Sequence, residues 1–96
     1  MHILLFAWFL RWKKRRPARR VILYTRVGCH LCEEALSLLR RYQKRYGFEL
    51  KTVDVDGDPA LVAEFGDWVP IVSVDGKVRF RGEVNEVLLK RLFDGT

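Results

Sequence analysis

From Val21 onward, apolar and polar positions follow periods that predict an alternation of strands and helices. The run Val21–Thr25 is short, β-branched and aromatic, which is typical of a buried strand. Apolar residues then recur at spacings of three and four and predict a helix that ends at Gly47. The apolar face of this helix comprises Leu31, Ala35, Leu38, Leu39, Tyr42 and Tyr46. Glu49–Val55 predicts a second strand.

The second half of the chain predicts a short helix, a hairpin and a last helix. Asp58-Pro59 has the form of an N-cap followed by proline at the first helical position, and it predicts a helix that Gly66 closes. The strands Ile71–Val74 and Lys77–Phe80 are joined by Asp-Gly, a strong hairpin signal. A final amphipathic helix is predicted from four apolar residues, Val84, Val87, Leu88 and Leu92.

The element order is therefore β-α-β-α-β-β-α. Because helices join the first strands, we expect those strands to be parallel, and we expect the last pair to form an antiparallel hairpin. The predicted fold class is α/β, with a four-stranded mixed sheet and helices on both faces.

The first twenty residues do not fit this pattern. Ten mostly apolar residues precede a run with seven Lys or Arg and no acid. The apolar stretch is half the roughly 20 residues that span a membrane, and a secretory signal would carry its charges first. We expect residues 1–20 to lie outside a folded domain of residues 21–96. One interpretation is that they bind an anionic membrane surface, with Trp8, Phe9 and Trp12 in the interface. The alternatives are a disordered leader, or an upstream start codon that is not used.

Composition adds one constraint on partners. The chain has 96 residues, enough for one domain with its own core, and its net charge is +6. Residues 21–96 hold 11 basic and 12 acidic residues, so their net charge is −1. The basic character belongs to residues 1–20, and no specific nucleic-acid partner is expected. We expect a cytoplasmic monomer; if it associates with a membrane, residues 1–20 make the contact.

The chain has two cysteines, Cys29 and Cys32, where the first predicted strand meets the first helix. Unpaired N–H groups and the helix dipole at that point favour thiolate over thiol. Residues three apart share a helix face, so the two sulfurs can form a disulfide. We expect Cys29 to be the more exposed and more acidic thiol, which attacks a substrate disulfide, and Cys32 to resolve the mixed disulfide. Arg26 and His30 either add positive potential or are solvated side chains.

A C-x-x-C pair also occurs as half of a zinc site. No second pair exists and the other histidine is His2, so we expect no metal within one chain. A metal or cluster bridged between two chains and a purely structural cysteine pair are the alternatives. The alternative function is thus a redox-inactive or metal-bridging binding module on the same fold.

Residues 21–32 resemble the opening of a glutaredoxin. They combine a strand that ends in Tyr-Thr, a basic residue three positions before the first cysteine, and C-x-x-C. Val69-Pro70 resembles the Val-Pro of that family, in which the proline is cis, and Phe80-Arg-Gly82 is similar to its glycine turn before the last helix. The resemblance covers roughly residues 21–93. The Cys-His-Leu-Cys form is especially like small bacterial glutaredoxin-like proteins.

The resemblance implies a thioredoxin fold and a thiol–disulfide oxidoreductase of cell redox homeostasis and electron transport. No bound cofactor is expected; glutathione is the implied co-substrate, and the implied partners are disulfide-containing proteins or glutathione mixed disulfides. Arg26 would pair with a glutathione carboxylate. The backbone of Val69, before cis-Pro70, would hydrogen-bond the bound thiol.

The chain departs from the usual glutaredoxin pattern around these positions. His30-Leu31 replaces the usual Pro or Tyr, Trp68 replaces Thr, and Gly82 is followed by Asn85 in place of Asp. Trp68 would either fill the core or form a lip of the substrate groove. Gly82 would serve turn geometry or a ligand contact, and Pro70 could instead be a trans edge-strand proline. These departures fall on the glutathione contacts and not on the cysteines.

Overall fold

The computed structural model describes residues 20–94. The predicted element order is confirmed across this range. The elements are β1 (Arg20–Thr25), α1 (His30–Tyr46), β2 (Glu49–Asp54), a 3-10 turn (Val55–Gly57), α2 (Pro59–Phe65), a second 3-10 turn (Gly66–Trp68), β3 (Ile71–Val74), β4 (Lys77–Arg81) and α3 (Glu86–Asp94).

The predicted N-terminal segment lies outside the described residues, except for its last member. Arg20 is the first residue of β1 and pairs in register with Glu49 of β2. The folded domain therefore includes Arg20, one residue earlier than predicted. Within residues 20–94, no helix has the length and apolar character needed to cross a membrane.

The four strands form one mixed sheet in the order β2-β1-β3-β4. The predicted parallel arrangement is confirmed for β1 and β2. It is wrong for β3, which runs antiparallel to both β1 and β4. Helix length explains the difference. The 17 residues of α1 can carry the chain back along the sheet, but the seven residues of α2 rise only about 10 Å. The chain therefore enters β3 at the same end of the sheet at which it left β2.

Local signals fix most helix ends. Gly47 adopts the left-handed conformation, with φ of 74°, and its N–H bonds the Gln43 carbonyl at 2.7 Å. The Asp58 side chain accepts from the N–H of Ala60 at 2.9 Å and caps α2. Gly66 is the C-cap of α2, as predicted, but it is right-handed, with φ of −51°, and the chain continues through the second 3-10 turn.

Helices cover both faces of the sheet, as predicted. One face of β1 presents Val21 and Leu23 to α1 and α3, and the opposite face presents Tyr24 to α2. The first cluster has buried residues Val21, Leu23, Ala35, Leu38, Leu39, Tyr42, Phe48, Val72, Val74, Phe80, Leu89 and Phe93. The second has Val55, Phe65 and Ile71. The sheet is thus enclosed as a central layer.

The predicted apolar face of α3 is partly wrong. Leu89 and Phe93 are its buried residues, and the Phe93 ring stacks on Phe48 with centroids 4.8 Å apart. Val87 and Leu88 are 62% and 51% exposed. Of the remaining predicted positions, Val84 precedes the helix and is half-buried, as is Leu92. The helix therefore contacts the core through positions four apart that the prediction did not include.

Candidate active site

The two cysteines form a disulfide at the start of α1. Cys29 is the N-cap, with extended backbone, and its Cα lies 5.2 Å from that of Cys32. The Cys29 sulfur accepts a hydrogen bond from the N–H of Cys32 at 3.1 Å. A serine or aspartate oxygen usually fills this position of a helix. The motif therefore places one sulfur where the helix offers an unpaired N–H and the positive end of its dipole.

The two sulfurs differ in their access to solvent. Cys32 is 2% exposed, whereas Cys29 is half-buried. A turn precedes Cys29, closed by a bond from its N–H to the Arg26 carbonyl at 3.4 Å, and Gly28 supplies a φ of 79° there. Cys29 is therefore the more accessible residue of the pair, as predicted.

The Arg26 side chain joins the loop before Cys29 to two other loops. Its Nη2 and Nε lie 2.8 and 3.2 Å from the two carboxylate oxygens of Asp56, and Nη1 donates to the Gly66 carbonyl at 3.0 Å. The hydrogen bond from Arg26 holds the pKa of Asp56 below its usual value; the positive charge adds to this effect and burial opposes it. The same hydrogen bond raises the pKa of Arg26. Arg26 is therefore an ion-paired connector and not a solvated charge.

Gly66 allows this close approach. A Cβ at Gly66 would lie 3.3 Å from Cγ1 of Val62 and 3.4 Å from Nη1 of Arg26. The first distance is tighter than ordinary van der Waals contact, and the second is at its lower limit. The missing side chain thus leaves room for the guanidinium over the Gly66 carbonyl.

The segment that enters β3 reaches the end of the sheet at which the cysteine loop lies. Tyr24 pairs with Ile71, so the residues after β1 and those before β3 leave the sheet side by side. The Val69–Pro70 peptide bond is cis, and Pro70 is buried. The structure thereby brings the predicted proline and the cysteine loop to one end of the sheet.

The neighbours of Pro70 serve different purposes. Gly82 donates its N–H to the Pro70 carbonyl at 2.8 Å and has a φ of 81°. Val69 packs against the α2 side of the core. Trp68 is 60% exposed, so it is not core filler. Its exposed ring lies in the segment directly before the cis bond.

The two remaining predicted residues have partners of their own. His30 is the first residue of α1, and its Nε2 lies 2.9 Å from a carboxylate oxygen of Glu34, one turn on. The Asn85 side chain accepts from the N–H of Leu88 at 3.1 Å and caps α3. Asn85 therefore has a structural contact that accounts for its side chain.

A groove beside the motif was not predicted. It has a volume of about 260 Å³ and lies between α1, from Leu31 to Arg41, and the segment from Glu83 to Glu86. Leu31, between the two cysteines, is 44% exposed and lines it. The other lining residues are Glu34, Ala35, Leu38, Arg41, Glu83, Val84 and Glu86.

Asp56 was also missed by the sequence analysis. The available signal was strand order: β1 and β2 are parallel, so the residues after each strand meet at one edge. Arg26 follows β1 and Asp56 follows β2, which makes them neighbours once the pairing is known.

Comparison with known proteins places this site in a family. Residues 20–94 match the model of the Glutaredoxin-like domain (DUF836). An uncharacterized protein of Mycobacterium tuberculosis is 40% identical over 76 residues, which cover 74% of this chain and 78% of that protein. The solution structure of protein Ne2328 from Nitrosomonas europaea superposes with a TM-score of 0.69 at 30% identity, covering 80% of this chain and 93% of that one.

A more distant structure identifies the fold. The crystal structure of a glutaredoxin from Archaeoglobus fulgidus matches with a TM-score of 0.57 at 20% identity, over 88% of this chain and 94% of that chain. The sheet, its three helices and the C-x-x-C pair at the start of α1 thus form a thioredoxin fold of the glutaredoxin type. The chain belongs to the glutaredoxin-like domain family.

Proposed function

We propose that this protein is a thiol–disulfide oxidoreductase in which Cys29 is the nucleophile and Cys32 the resolving thiol. The observation that carries the proposal is the disulfide at the N-terminus of α1, with one accessible and one buried sulfur. This arrangement stabilises a thiolate at Cys29 in the reduced protein.

The proposed reaction exchanges one disulfide for another. The Cys29 thiolate attacks one sulfur of the substrate disulfide, a mixed disulfide forms, and the other substrate sulfur leaves as a thiolate that takes up a proton. The Cys32 thiolate then attacks the Cys29 sulfur and releases the second substrate thiol. The substrate gains two electrons, and the protein returns to the Cys29–Cys32 disulfide. A thiol reductant closes the cycle by reducing that disulfide.

Exposed apolar side chains around the disulfide favour a protein substrate. Leu31, within the motif, is 44% exposed, and Val27, in the loop before it, is 90% exposed. Trp68, in the segment before Pro70, is 60% exposed. Apolar surface of this kind is commonly covered by a partner. We therefore take disulfide-containing proteins as the substrates, and glutathione disulfide as the small-molecule comparison.

The test is catalysed reduction of insulin disulfides with dithiothreitol as reductant. The wild-type protein should accelerate the reaction, and Cys29→Ser should reduce the rate to that of dithiothreitol alone. Cys32→Ser should slow turnover yet accumulate a mixed disulfide at Cys29, detectable by mass spectrometry. Equal rates for wild type and Cys29→Ser, or no acceleration by either, would overturn the proposal and favour a binding module.

A further inference from the structure

We propose that the site selects disulfides that lie in positively charged, partly apolar protein segments over anionic disulfides such as that of glutathione. This inference rests on the proposed function and specifies its substrate class. It is carried by the charges on the two sides of the cysteine pair.

On one side, the cation nearest the motif is already neutralised. Arg26 forms a two-pronged ion pair with Asp56 and donates its remaining edge to the Gly66 carbonyl. Asp54 and Asp67 also act on this guanidinium. Three carboxylates thus surround one positive group, and an anionic ligand would have to displace Asp56.

On the other side, the groove beside Leu31 is lined by both apolar and acidic residues. Leu31, Ala35, Leu38 and Val84 are its apolar lining residues, and Glu34, Glu83 and Glu86 are its acidic ones. Two basic side chains contact these carboxylates. Nη2 of Arg41 lies 3.5 Å from a carboxylate oxygen of Glu86, and Nε2 of His30 lies 2.9 Å from one of Glu34.

We call these six carboxylates the acidic rim; its members are Glu34, Asp54, Asp56, Asp67, Glu83 and Glu86. The basic side chains beside the rim are Arg26, Arg41 and His30, each paired with one of its carboxylates, and Arg81, which lies 5.8 Å from the centroid of the Phe65 ring. Carboxylates outnumber basic side chains both around Arg26 and along the groove. A segment that places an apolar side chain in the groove and Lys or Arg beside it would match both features. The same field slows the approach of anions.

The experiment compares three disulfide peptides that share an apolar residue next to cysteine and differ only in flanking Lys, Ser or Glu. Pre-reduced full-length protein is mixed with an excess of each peptide. Stopped flow then gives the second-order rate constant for oxidation of the protein dithiol. No other reductant is needed, since the protein dithiol supplies both electrons. Each rate is divided by the rate at which dithiothreitol reduces the same peptide, which removes intrinsic differences in disulfide reactivity.

We expect the normalised rate for the Lys peptide to exceed that for the Glu peptide by about tenfold at low salt. The difference should shrink toward unity near 1 M salt, where the screening length is about 3 Å. Glutathione disulfide should behave as the Glu peptide does.

Asp56→Asn and Glu83→Gln should each lower the preference, the first by releasing Arg26 and the second by removing one charge at the groove. Glu64→Gln is the matched control, because it removes an exposed carboxylate of α2 outside the rim. Residues 1–19 are common to all variants, so they do not contribute to differences between the variants. Equal normalised rates for the three peptides, or an unchanged preference in both rim variants, would overturn the inference and leave the dithiol chemistry intact. No reaction with any peptide would overturn the proposed function itself.

Discussion

The backbone N–H of Gly82 donates a hydrogen bond to the carbonyl oxygen of Pro70 over 2.8 Å. The bond ties the turn after β4 to the segment that enters β3, at the end of the sheet that carries the cysteines. Gly82 makes it with a φ of 81°, a conformation that residues with a Cβ rarely adopt.

We predict that Gly82→Ala lowers the free energy of unfolding by about 1 kcal/mol, because alanine is strained at this φ. Steric overlap is not the cause, since a Cβ there would come no closer than 4.0 Å to the Trp68 carbonyl oxygen. Gly57→Ala is the control, with right-handed or extended backbone and open space around its Cβ. Urea unfolding measures both variants; an equal loss in the two would contradict the strain argument.

We predict that iodoacetamide labels Cys29 before Cys32 in the reduced protein at neutral pH. Cys32 is 2% exposed, and Cys29 lies at the helix N-terminus, where thiolate is favoured. Peptide mapping by mass spectrometry after short exposures gives the order. Earlier labelling of Cys32 would reverse the roles of the two residues.

The Arg26–Asp56 pair predicts a pH-dependent contribution to stability. Its hydrogen bond holds the pKa of Asp56 below the ordinary value of 3.8. The contribution is therefore complete above that value and disappears as the pH falls through the lower pKa of the folded state. The difference in unfolding free energy between wild type and Asp56→Asn should be constant from pH 7 to about pH 5 and should shrink below about pH 4.

Urea unfolding at a series of pH values measures this difference. Glu64→Gln is the control, because it removes an exposed carboxylate and leaves the Arg26–Asp56 pair in place. A difference that stays constant through the acid range would show that the ion pair does not stabilise the fold.

Adjacent residues of α3 provide a test of how that helix packs. Leu89 is fully buried and Leu88 is 51% exposed. Leu89→Ala should lower the free energy of unfolding by about 2–5 kcal/mol, whereas Leu88→Ala should change it by about 0.5 kcal/mol. Denaturant midpoints at constant m-value decide between them. The reverse order would restore the helix face predicted from the sequence.

Residues 1–19, outside the described part of the chain, carry the membrane prediction. Each basic residue near an anionic surface contributes about 1 kcal/mol, so we expect the full chain to sediment with anionic vesicles at low salt and to be released at high salt. Replacing the six basic residues of positions 11–19 by serine should abolish binding. Equal sedimentation of both proteins would exclude an electrostatic tether.

The sequence predicted the elements well where local chemistry decides them. The apolar spacing of α1 extends over 17 residues. Gly47 marks a helix end through its left-handed backbone, and Asp58 marks one through its side-chain cap. In α3, five of nine residues are apolar, so the spacing does not distinguish the buried Leu89 from the exposed Leu88. In that helix, the contacts of Phe93 with Phe48 and with α1 determine which face is buried.

The contacts around the cysteines divide in the same way. The C-x-x-C pair is adjacent in sequence and was predicted with its location. Arg26 and Asp56 are 30 positions apart, and Arg26 and Gly66 are 40 apart, so their contacts depend on strand order and on the short path of α2. Sequence periodicity contains neither piece of information.

The two outer strands of the sheet have a consequence for self-association. β4 forms one edge and exposes Lys77, Arg79 and Arg81 at alternate positions, and β2 forms the other edge and exposes Glu49 and Lys51. A second copy of β4 laid along the first would bring cationic side chains against one another and would have to desolvate them. Charged residues on both borders of the sheet thus discourage strand addition and the ordered aggregation that unpaired backbone otherwise invites.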